Sequence, residues 1–572
     1  MAIILTSEAK CKDCYKCIRH CPLKAIGLND DQAWVIEERC ILCGRCIEIC
    51  PQNAKTTVSA IDILDKYLLD GEKIAVSLAP SYLAATTYQT PWKLVAGLKE
   101  LGIAVIEETA LAAEIVSREY YDVCHDEGDD SLISSCCPTI VSLIEKNFHS
   151  LIDKLSPVMS PMMIHARLLS EKLGEDYKII FIGPCFSKKE ELSWDEDNPL
   201  DAVLTFEEII EFFKDKGIEA DSLADIYPDC ISSRARAYPL HRGILEVAGI
   251  KGSLLGDVIT VSGVEEAIEV FKDMEEGLIS PRFVEALGCK GGCIGGPAMA
   301  NDYGVAHRKM RLSEFIEDTP RFNEENDISP RNYQRKYRHY QQKDKLPSEE
   351  EIREILALTG KFTPEDESNC GGCGYSSCRE KAVAVYNGRA EVEMCIPYMR
   401  EKAESLSHAV VDSSLNGIII VSEDMIIQEF NPTAEKMFNR KGIKPKGKYL
   451  SSFVDPADYI EVRDNQEIIT DKYKEYEQYS LITRESIYPL EKYGVVIGLI
   501  TDVTAEEKRK AEIDDMKLSA LNKAKRVIRE QMKVAQQIAG LLGESTAETK
   551  ATLLELIDIM NRKEANTGED ES

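Results

Sequence analysis

Cysteine is the residue whose number and spacing in this chain point most directly to chemistry. The 572 residues include 19 cysteines, and most of them fall in short clusters. Thiolates are the preferred ligands of soft metal centres such as zinc and iron–sulfur clusters. In a reducing compartment, clustered cysteines are metal ligands rather than disulfides. The chain is therefore expected to hold several metal centres.

Two identical cysteine runs occupy the start of the chain. Each run reads C-x2-C-x2-C-x3-C-P, first at residues 11–22 and again at residues 40–51. The pattern resembles the bacterial ferredoxins, in which the fourth cysteine of each run serves the other 4Fe-4S cluster. A pair of zinc knuckles is the alternative, but two matching runs with trailing prolines argue against it. The resemblance implies one cluster held by Cys11, Cys14, Cys17 and Cys50, and a second held by Cys40, Cys43, Cys46 and Cys21.

Further cysteines lie far apart in the middle of the chain. Cys137 precedes a proline, Cys185 follows one, and Cys289 and Cys293 stand in the segment Gly-Cys-Lys-Gly-Gly-Cys-Ile-Gly-Gly. Proline and glycine signal loops, and paired glycines let the backbone approach a bulky cofactor. Buried structural thiols are the alternative, but they do not explain the Cys136-Cys137 pair together with the glycine-rich segment. The sequence therefore predicts a cluster assembled between separate parts of the fold.

The last cysteine group has the spacing C-x2-C-x4-C-x16-C. Four cysteines suit either zinc or iron, so a zinc site is an open alternative here. The core Cys-Gly-Gly-Cys-Gly-Tyr-Ser-Ser-Cys resembles a small 4Fe-4S domain of corrinoid and redox-complex proteins, which implies iron. Cys124 and Cys230 fall outside all these motifs and are interpreted as structural thiols. The four predicted ligands are Cys370, Cys373, Cys378 and Cys395.

The elements that must position the central cysteines show a strand–helix alternation. Short apolar runs at 73–79, 104–108, 177–183 and 201–204 predict strands, and the amphipathic run 90–101 predicts a helix. This alternation is typical of α/β folds. Open α/β sheets place their sites in loops that follow the strands, so these loops are expected to carry the ligands.

Three segments, taken together, resemble the signature segments of the FeFe hydrogenases. They are 134–138 (Ser-Ser-Cys-Cys-Pro), 184–191 (Pro-Cys-Phe-Ser-Lys-Lys-Glu-Glu) and 288–296, and they follow the ferredoxin-like runs. The resemblance covers roughly residues 1–345. It implies reversible dihydrogen oxidation and proton reduction at a 4Fe-4S cubane joined to a two-iron subsite with CO, cyanide and a bridging dithiolate. In this family, separate maturation proteins build that subsite.

The resemblance also implies a ligand set for this cofactor. In that family the residues matching Cys137, Cys185, Cys289 and Cys293 ligate the cubane, and the last of them bridges to the two-iron subsite. The matches to Lys188 and to the serine of the Ala79-Pro80-Ser81 motif bind its cyanide ligands.

A proton path is the second implication of the resemblance. The match to Cys136 is a free thiol that passes a proton to the bridging amine. Glu191 and Ser156 match the positions that lead outward. Glu119 is a candidate for the end of the path, with a surface carboxylate as the alternative.

Several residues depart from the common hydrogenase pattern. Ile140, Leu287 and Lys290 replace the usual aromatic residue, methionine and proline, and Phe186-Ser187 replaces Thr-Ala. The segment 232–239 also lacks the usual glycine-rich turn. Residues around a metal cofactor tune its potential and proton affinity. These changes therefore indicate a retuned, sensory branch of the family.

The C-terminal part resembles a PAS domain followed by a signalling helix. Residues 410–438 predict strand, turn, strand and a helix that opens at Asn431-Pro432, and residues 494–508 match the PAS exit. From Glu506 onward one apolar stripe predicts a coiled coil with a second copy, or packing on the PAS domain itself. The stripe is formed by Leu521, Ala524, Ile528, Met532, Ala535 and Ile538.

Composition excludes several classes of partner. The net charge of −30 argues against nucleic acid and anionic membranes. No apolar run approaches the roughly 20 residues that span a bilayer, and the start lacks signal-peptide features. A cytoplasmic protein is expected. The basic, aromatic run 332–340 could suggest RNA, but it is interpreted as a linker on an acidic surface.

The predicted architecture is multidomain, combining α+β and α/β parts. The preferred function is a dihydrogen or redox sensor that signals to a separate kinase or phosphatase. The alternatives are a catalytic hydrogenase coupled to ferredoxin and a non-enzymatic, hydrogenase-like iron–sulfur assembly protein. The predicted domains are 1–60 (ferredoxin-like, two clusters), 72–345 (two-lobed catalytic domain), 346–400 (4Fe-4S), 403–505 (PAS), 506–562 (signalling helix or coiled coil) and 563–572 (disordered tail).

Overall fold

The structure is a computed structural model that divides into two compact units, Met1–Met399 and Arg400–Ser572. No described helix is both long and apolar enough to cross a membrane. The predicted tail, 563–572, lies outside the described residues. These are 3–29, 32–125, 131–195, 197–232, 234–251, 257–317, 333–340, 345–439, 442–542, 551–552 and 554–555.

The ferredoxin-like region is built twice from one local pattern. In each cysteine run the third cysteine is the second residue of a short helix. Strand β1 pairs with β4, and β2 forms a hairpin with β3. These elements are only three to five residues long, and cysteine-rich loops make up most of the region. The elements are β1 (Ile4–Thr6), α1 (Lys16–His20), β2 (Ile26–Asn29), β3 (Gln32–Val35), α2 (Arg45–Glu48) and β4 (Lys55–Thr57).

The central region alternates strands and helices as the sequence predicts. Its elements are α3 (Ile61–Leu69), β5 (Lys73–Leu78), α4 (Trp92–Glu100), β6 (Val105–Glu108), α5 (Ala110–His125), β7 (Leu132–Ile133), α6 (Pro138–Asn147), α7 (Pro161–Leu173), β8 (Tyr177–Gly183), α8 (Ser187–Glu191), β9 (Leu200–Thr205), α9 (Phe206–Asp215), α10 (Gly243–Ala248), β10 (Val258–Ser262), α11 (Val264–Glu275), β11 (Phe283–Leu287) and α12 (Val305–Glu317).

These strands form two parallel sheets, which give the region two lobes. The larger sheet has the order β6-β5-β8-β9, and the smaller has the order β10-β11-β7. Both sheets are covered by helices, and each lobe has its own core of buried aliphatic and aromatic side chains. All-parallel sheets are normally buried on both faces, which explains why their strands read as continuous apolar runs. The loops at the carboxyl ends of β5, β7, β8 and β11 carry the hydrogenase-like motifs.

A small helical segment follows the central region. It contains α13 (Glu349–Ala357), α14 (Cys378–Tyr386) and the start of α15 (Ile396–Ser413). Ser348 caps the start of α13: its hydroxyl accepts a hydrogen bond from the Glu351 amide, and the Glu351 carboxylate accepts one from the Ser348 amide.

The second unit contains one antiparallel sheet of five strands in the order β13-β12-β16-β15-β14. As predicted, a helix opens at Asn431, whose buried amide makes four hydrogen bonds, among them one from the Ala434 amide at 2.9 Å. The final helix ends at Leu542 in the described part of the chain. The elements are β12 (Gly417–Ser422), β13 (Ile427–Phe430), α16 (Pro432–Phe438), α17 (Ala457–Asn465), β14 (Ile469–Tyr476), β15 (Leu481–Leu490), β16 (Val495–Asp502) and α18 (Thr504–Leu542).

Candidate metal centres and active site

One cavity of about 100 Å³ lies between the two lobes, and loops from both sheets line it. The loop after β5 contributes Ala79, Pro80 and Ser81, and that after β8 contributes Cys185 and Lys188. Parallel strands bring their carboxyl ends to one edge of a sheet, which is why distant segments converge here. From the smaller lobe the lining includes Cys136, Cys137, Leu287, Cys289 and Cys293.

The four predicted cubane ligands are brought together in this cavity. Burial raises the pKa of the Cys293 thiol to about 12, and the neighbouring Cys137 and Cys185 raise it further. Buried thiols this close stay protonated on their own, whereas a bound metal removes their protons. The Gly288 amide donates to Cys137 Sγ at 3.4 Å, and the Ser187 hydroxyl lies 3.0 Å from Cys185 Sγ.

Lys188 is the one cationic side chain among the residues that line the cavity. Its Nζ donates to Glu191 Oε2 at 2.6 Å, to Ser160 Oγ at 2.9 Å and to the Cys136 carbonyl at 3.4 Å. This side chain therefore connects the loop of Cys136 with the carboxylate that the sequence places on the proton path.

Of the predicted proton-path residues, Cys136 lines the cavity, whereas Glu191, Ser156 and Glu119 do not. Glu191 is buried on α8, and Arg335 approaches its Oε1 to 3.7 Å. Ser156 is fully buried, and its hydroxyl has no hydrogen-bond partner in the described part of the chain. Glu119 is half-buried on α5, where burial and then Asp122 raise its pKa.

The departures from the hydrogenase pattern do not all surround the cavity as the sequence suggested. Leu287 lines it, and Ser187 contacts a predicted ligand. Ile140 instead lies in the core of the smaller lobe, and Lys290 is exposed. Neither of these two side chains lines the cavity, so tuning of the cofactor by Ile140 and Lys290 stays a prediction.

Two buried side chains near the cavity escaped the sequence analysis. Tyr238 lines it beside Cys136, and burial followed by that thiol raises the pKa of its phenol. Glu285 is buried on β11, and burial raises the pKa of its carboxyl to about 7 while amides of Leu245 and Arg242 oppose the shift. An acidic residue inside an apolar strand was the available signal for Glu285. Tyr238 lies in an irregular loop with no such signal.

The second ferredoxin-type ligand set also gathers around one cavity. Cys21, Cys40, Cys43 and Cys46 all line it, so a cysteine of the first run joins three of the second. Burial raises the pKa of the Cys43 thiol to about 12, and Cys21 and Cys40 raise it further. In the first set, Cys11 and Cys14 act on the Cys17 thiol, whose pKa is raised mainly by burial.

The C-terminal cysteine group forms a further cavity. Cys370, Cys373, Cys378 and Cys395 line it together with two buried lysines, Lys361 and Lys381. The Lys361 ammonium donates to Cys395 Sγ at 3.4 Å. Burial lowers the pKa of Lys381, and the adjacent Cys395 opposes that shift. Two ammonium groups beside four thiols suit a metal centre that carries net negative charge.

Contacts within the first unit show which of these centres are neighbours. The Cys43 thiol is near enough to Cys289 to affect its pKa, which is raised mainly by burial. Ile18 and Leu28 share an apolar core with Tyr375 and Met394, and cysteines of both ferredoxin-type sets border it together with Cys373. The second ferredoxin-type set is therefore next to the central cavity, and the C-terminal group packs against the ferredoxin-like region.

Among the described residues, no group of three or more His, Cys, Asp or Glu side chains is arranged to hold a single metal ion.

Three regions of the sequence match known protein families. Residues 72–297 match the family described as "Iron only hydrogenase large subunit, C-terminal domain". Residues 72–297 form an FeFe-hydrogenase-like domain. Around it, residues 3–51 match the family "4Fe-4S dicluster domain", and residues 366–397 match an Fe-S cluster family. The chain is thus a hydrogenase-like iron–sulfur protein.

Relatives of the hydrogenase-like domain are distant. The NADP-reducing hydrogenase subunit HndD of Solidesulfovibrio fructosivorans is 24% identical over 54% of this chain and 59% of its own length. The periplasmic [Fe] hydrogenase large subunit of Nitratidesulfovibrio vulgaris is 26% identical over 50% of this chain and 84% of that protein. The alignment thus spans well under two thirds of HndD.

Two other comparisons concern parts of the hydrogenase-like domain. A cytosolic Fe-S cluster assembly factor, the NAR1 homolog of Schizosaccharomyces japonicus, is 35% identical over 104 residues, or 16% of this chain and 20% of that protein. The solved structure of FeFe hydrogenase HydA1 from Chlamydomonas reinhardtii is 20% identical, covers 45% of this chain and 88% of its own, and has a TM-score of 0.37.

Proposed function

We propose that the chain is an FeFe hydrogenase that interconverts dihydrogen with protons and electrons and serves as a dihydrogen or redox sensor. One observation carries the catalytic part. All the residues assigned to cofactor binding, drawn from separate loops of two sheets, line a single cavity, and Cys136, assigned to proton transfer, lines it with them. Structural thiols would have no reason to converge with the lysine and the serine of those motifs.

The residues of the cavity fit the implied cofactor. Cys137, Cys185, Cys289 and Cys293 offer the thiolates that a cubane requires. The Ser81 hydroxyl is buried, lines the cavity and has no hydrogen-bond partner in the described part of the chain. Buried hydroxyls are normally satisfied, so this one suits a ligand with an acceptor atom such as a cyanide nitrogen. When bound, the two-iron subsite supplies the chemistry of dihydrogen cleavage and formation.

The chain's own residues would bind that group and move protons. Lys188 balances anionic ligands, because an ammonium donates charge-assisted hydrogen bonds to them. The Cys136 thiol, free of the predicted cubane set, holds a proton at Sγ beside the cavity. Glu191, paired with Lys188, is placed to accept a proton leaving the site and to pass it toward Ser156.

Electrons would pass through the four centres in turn. From the cubane they pass to the cluster of Cys21, Cys40, Cys43 and Cys46, then to that of Cys11, Cys14, Cys17 and Cys50, and then to that of Cys370, Cys373, Cys378 and Cys395. The proposal favours iron over zinc in the last set, because a zinc ion would end the path. A ferredoxin or similar carrier would exchange electrons with the chain.

The sensory part of the proposal rests on the second unit. Its sheet order, β13-β12-β16-β15-β14, suits the PAS domain indicated by the sequence. On α18 the residues Leu521, Ala524, Ile528 and Met532 are half-buried along an otherwise exposed helix. We propose that this stripe pairs with a second copy and that the output passes to a kinase or phosphatase. A cytoplasmic location is part of this proposal.

Infrared spectroscopy after cofactor maturation tests the catalytic proposal. We expect bands of bound CO and cyanide, and dihydrogen uptake with an artificial electron acceptor. A matured Cys293→Ser chain should lose both, since that residue is assigned to bridge the cubane and the subsite. Absence of the bands from the wild-type chain would contradict the hydrogenase proposal.

The similarity to an assembly factor supports a second candidate, an iron–sulfur protein without hydrogenase activity. Iron analysis distinguishes the two. The hydrogenase proposal requires two irons beyond four 4Fe-4S clusters, whereas the assembly-factor proposal does not. Slow turnover favours sensing, and fast turnover favours a catalytic hydrogenase coupled to ferredoxin.

A further inference from the structure

A line of buried polar side chains crosses the apolar core of the larger lobe. Thr109 lines the cavity, and its Oγ1 lies 2.7 Å from Ser77 Oγ. Ser77 Oγ lies 2.8 Å from His165 Nδ1. His165 Nε2 is 3.6 Å from Glu107 Oε2, and Glu107 Oε1 accepts a hydrogen bond from Lys172 at 2.7 Å.

The line begins at the cavity and ends at the surface. His165 is 1% exposed, and Ser77, Thr109 and Glu107 are also buried. By contrast, the Lys172 side chain is 57% exposed. Strands β5 and β6 and helix α7 place these side chains next to one another. Ser77 and Glu107 are paired across β5 and β6, while His165 and Lys172 lie seven residues apart on one face of α7.

Burying four polar side chains in an apolar core has a cost in folding free energy. A polar group in an apolar core costs free energy unless it is hydrogen-bonded, and apolar residues would pack the space more simply. Here Thr109, Ser77 and His165 are hydrogen-bonded in series through their side chains. His165 Nε2, which has no hydrogen-bond partner among the described residues, faces the Glu107 carboxylate at 3.6 Å. The line is separate from Cys136, Glu191 and Ser156, which lie toward α6 and α8.

We propose that Thr109, Ser77, His165 and Glu107 form a second proton path between the cavity and solvent near Lys172. This inference rests on the hydrogenase function proposed above. An inward proton is taken up by Glu107, which then protonates His165 Nε2. His165 Nδ1–H gives its proton to Ser77 Oγ as the Ser77 hydroxyl proton moves to Thr109, whose own proton enters the cavity.

Each transfer breaks one O–H or N–H bond and forms another, so nothing is oxidised or reduced. The separation between His165 and Glu107 exceeds hydrogen-bond length, and a small movement of either side chain closes it. Lys172 is a positioning residue, because its ammonium holds the carboxylate of Glu107.

Infrared spectroscopy without dihydrogen turnover tests the cavity end of the path. In a matured Cys136→Ala chain, where the path through Glu191 and Ser156 is interrupted, we expect Thr109→Val and Glu107→Gln to slow the response of the CO and cyanide bands to a sudden change of pH at least about tenfold. The equilibrium band positions should stay those of the Cys136→Ala chain. Ser117→Ala in the same background removes another buried hydroxyl of the same lobe and is the matched control. Equal rates in the Cys136→Ala chain with and without the path substitutions would overturn the proposal.

Chemical rescue separates proton transfer from a structural role. His165→Ala should slow the same response, and added imidazole should restore it because imidazole can occupy the vacated space. If that variant does not fold, His165→Gln provides the slowed chain without rescue. Slowing of the same size in Ser117→Ala would count against a path.

A readout without the cofactor covers the outer half of the path. The chain has eight histidines, so selective ¹⁵N labelling followed by a His165→Gln comparison assigns the His165 ring proton. We expect that proton to exchange with solvent faster in the wild type than in Glu107→Gln. If CO and cyanide bands are missing from the matured chain, the hydrogenase proposal fails, while equal exchange in both chains overturns the path itself.

Discussion

At the scale of single residues, charge beside the metal-binding thiols is the feature with the clearest consequence. Lys361 and Lys381 are buried beside the C-terminal cysteines, and Lys361 contacts Cys395 Sγ. Hydrogen bonds to the sulfurs and nearby cations stabilise the reduced, more negative state of an iron–sulfur cluster. This centre is therefore expected to accept electrons readily at the end of the relay.

Lys361→Met should lower the reduction potential of the C-terminal cluster, because methionine has a side chain of similar length to lysine but carries no positive charge. Redox titration followed by electron paramagnetic resonance measures the shift. Lys361→Arg keeps the charge and is the matched control. A Lys361→Met chain whose C-terminal cluster has the wild-type reduction potential would contradict the assignment of a 4Fe-4S cluster beside Lys361. Zinc in place of iron at this site would contradict it as well.

Glu285 should make stability depend on pH in a specific direction. Burial raises the pKa of this carboxyl to about 7, well above its value in an unfolded chain. The folded state then binds more protons than the unfolded state between the two pKa values, so stability falls as pH rises from about 4.5 to about 7. Below that window the group is protonated in both states and contributes no pH dependence.

The matched variant is Glu285→Gln, which does not titrate. As pH rises through the window, the melting temperature of the wild type should fall relative to that of Glu285→Gln. Above the window the difference between the two should be constant. The slope of this difference against pH is the diagnostic quantity. Its size at one pH is not, because Glu285→Gln can also lose the hydrogen bond from the Arg242 or Leu245 amide, and that loss is the same at every pH. A difference that is constant with pH would show that Glu285 is not buried in its neutral form.

At the scale of elements, close backbone contact joins the C-terminal cysteine segment to α1. Gly374 has a φ of +97°, and a Cβ there would lie 3.1 Å from Ile18 Cγ2 and 3.2 Å from the Arg19 amide nitrogen. The Leu28 amide donates to the Arg389 carbonyl at 3.1 Å in the same interface. This contact holds two proposed clusters as neighbours.

Gly374→Ala should loosen that interface, and Gly371→Ala should not. Both glycines have positive φ, so both variants cost about 1 kcal/mol in backbone strain. Only the first also places a methyl group against α1, which adds roughly 1–3 kcal/mol of overpacking. Hydrogen exchange of the Leu28 amide measures the difference. Equal acceleration in the two variants would refute a role for close approach.

The sequence predicted the elements far better than the contacts between them. Strand β8 was predicted to the residue, and β5, β6 and β9 to within one or two, because buried parallel strands are continuous apolar runs. The sequence did not reveal which of the departures from the hydrogenase pattern line the cavity. Leu287 does, whereas Ile140 lies in the core of the smaller lobe and Lys290 is exposed, because neighbours in the sequence point in different directions.

The central site was largely predictable because its residue types are rare and its loops are marked by proline and glycine. The line from Thr109 to Lys172 was not, since serine, threonine and histidine are common in many settings. Only the register of β5 with β6 and the turns of α7 bring those side chains together.

At the scale of the whole molecule, the proposal assigns catalysis to the first unit and signalling to the second. If dihydrogen changes the charge state of the clusters, the second unit should respond. Hydrogen exchange of residues 403–542 is expected to differ several-fold between dihydrogen and argon in the matured chain. The chain without the two-iron subsite is the control and should show no difference. Identical exchange under both gases in the matured chain would refute the coupling.

The loops that meet at the central cavity belong to different lobes. Cys185 follows a strand of the larger sheet, while Cys137, Cys289 and Cys293 follow strands of the smaller one. A group bound to all four thiols therefore cross-links the lobes and closes long segments of chain, as a disulfide would. Occupancy of this site should then govern how well the lobes are held together, so loss of the bound group would weaken the fold as well as the chemistry.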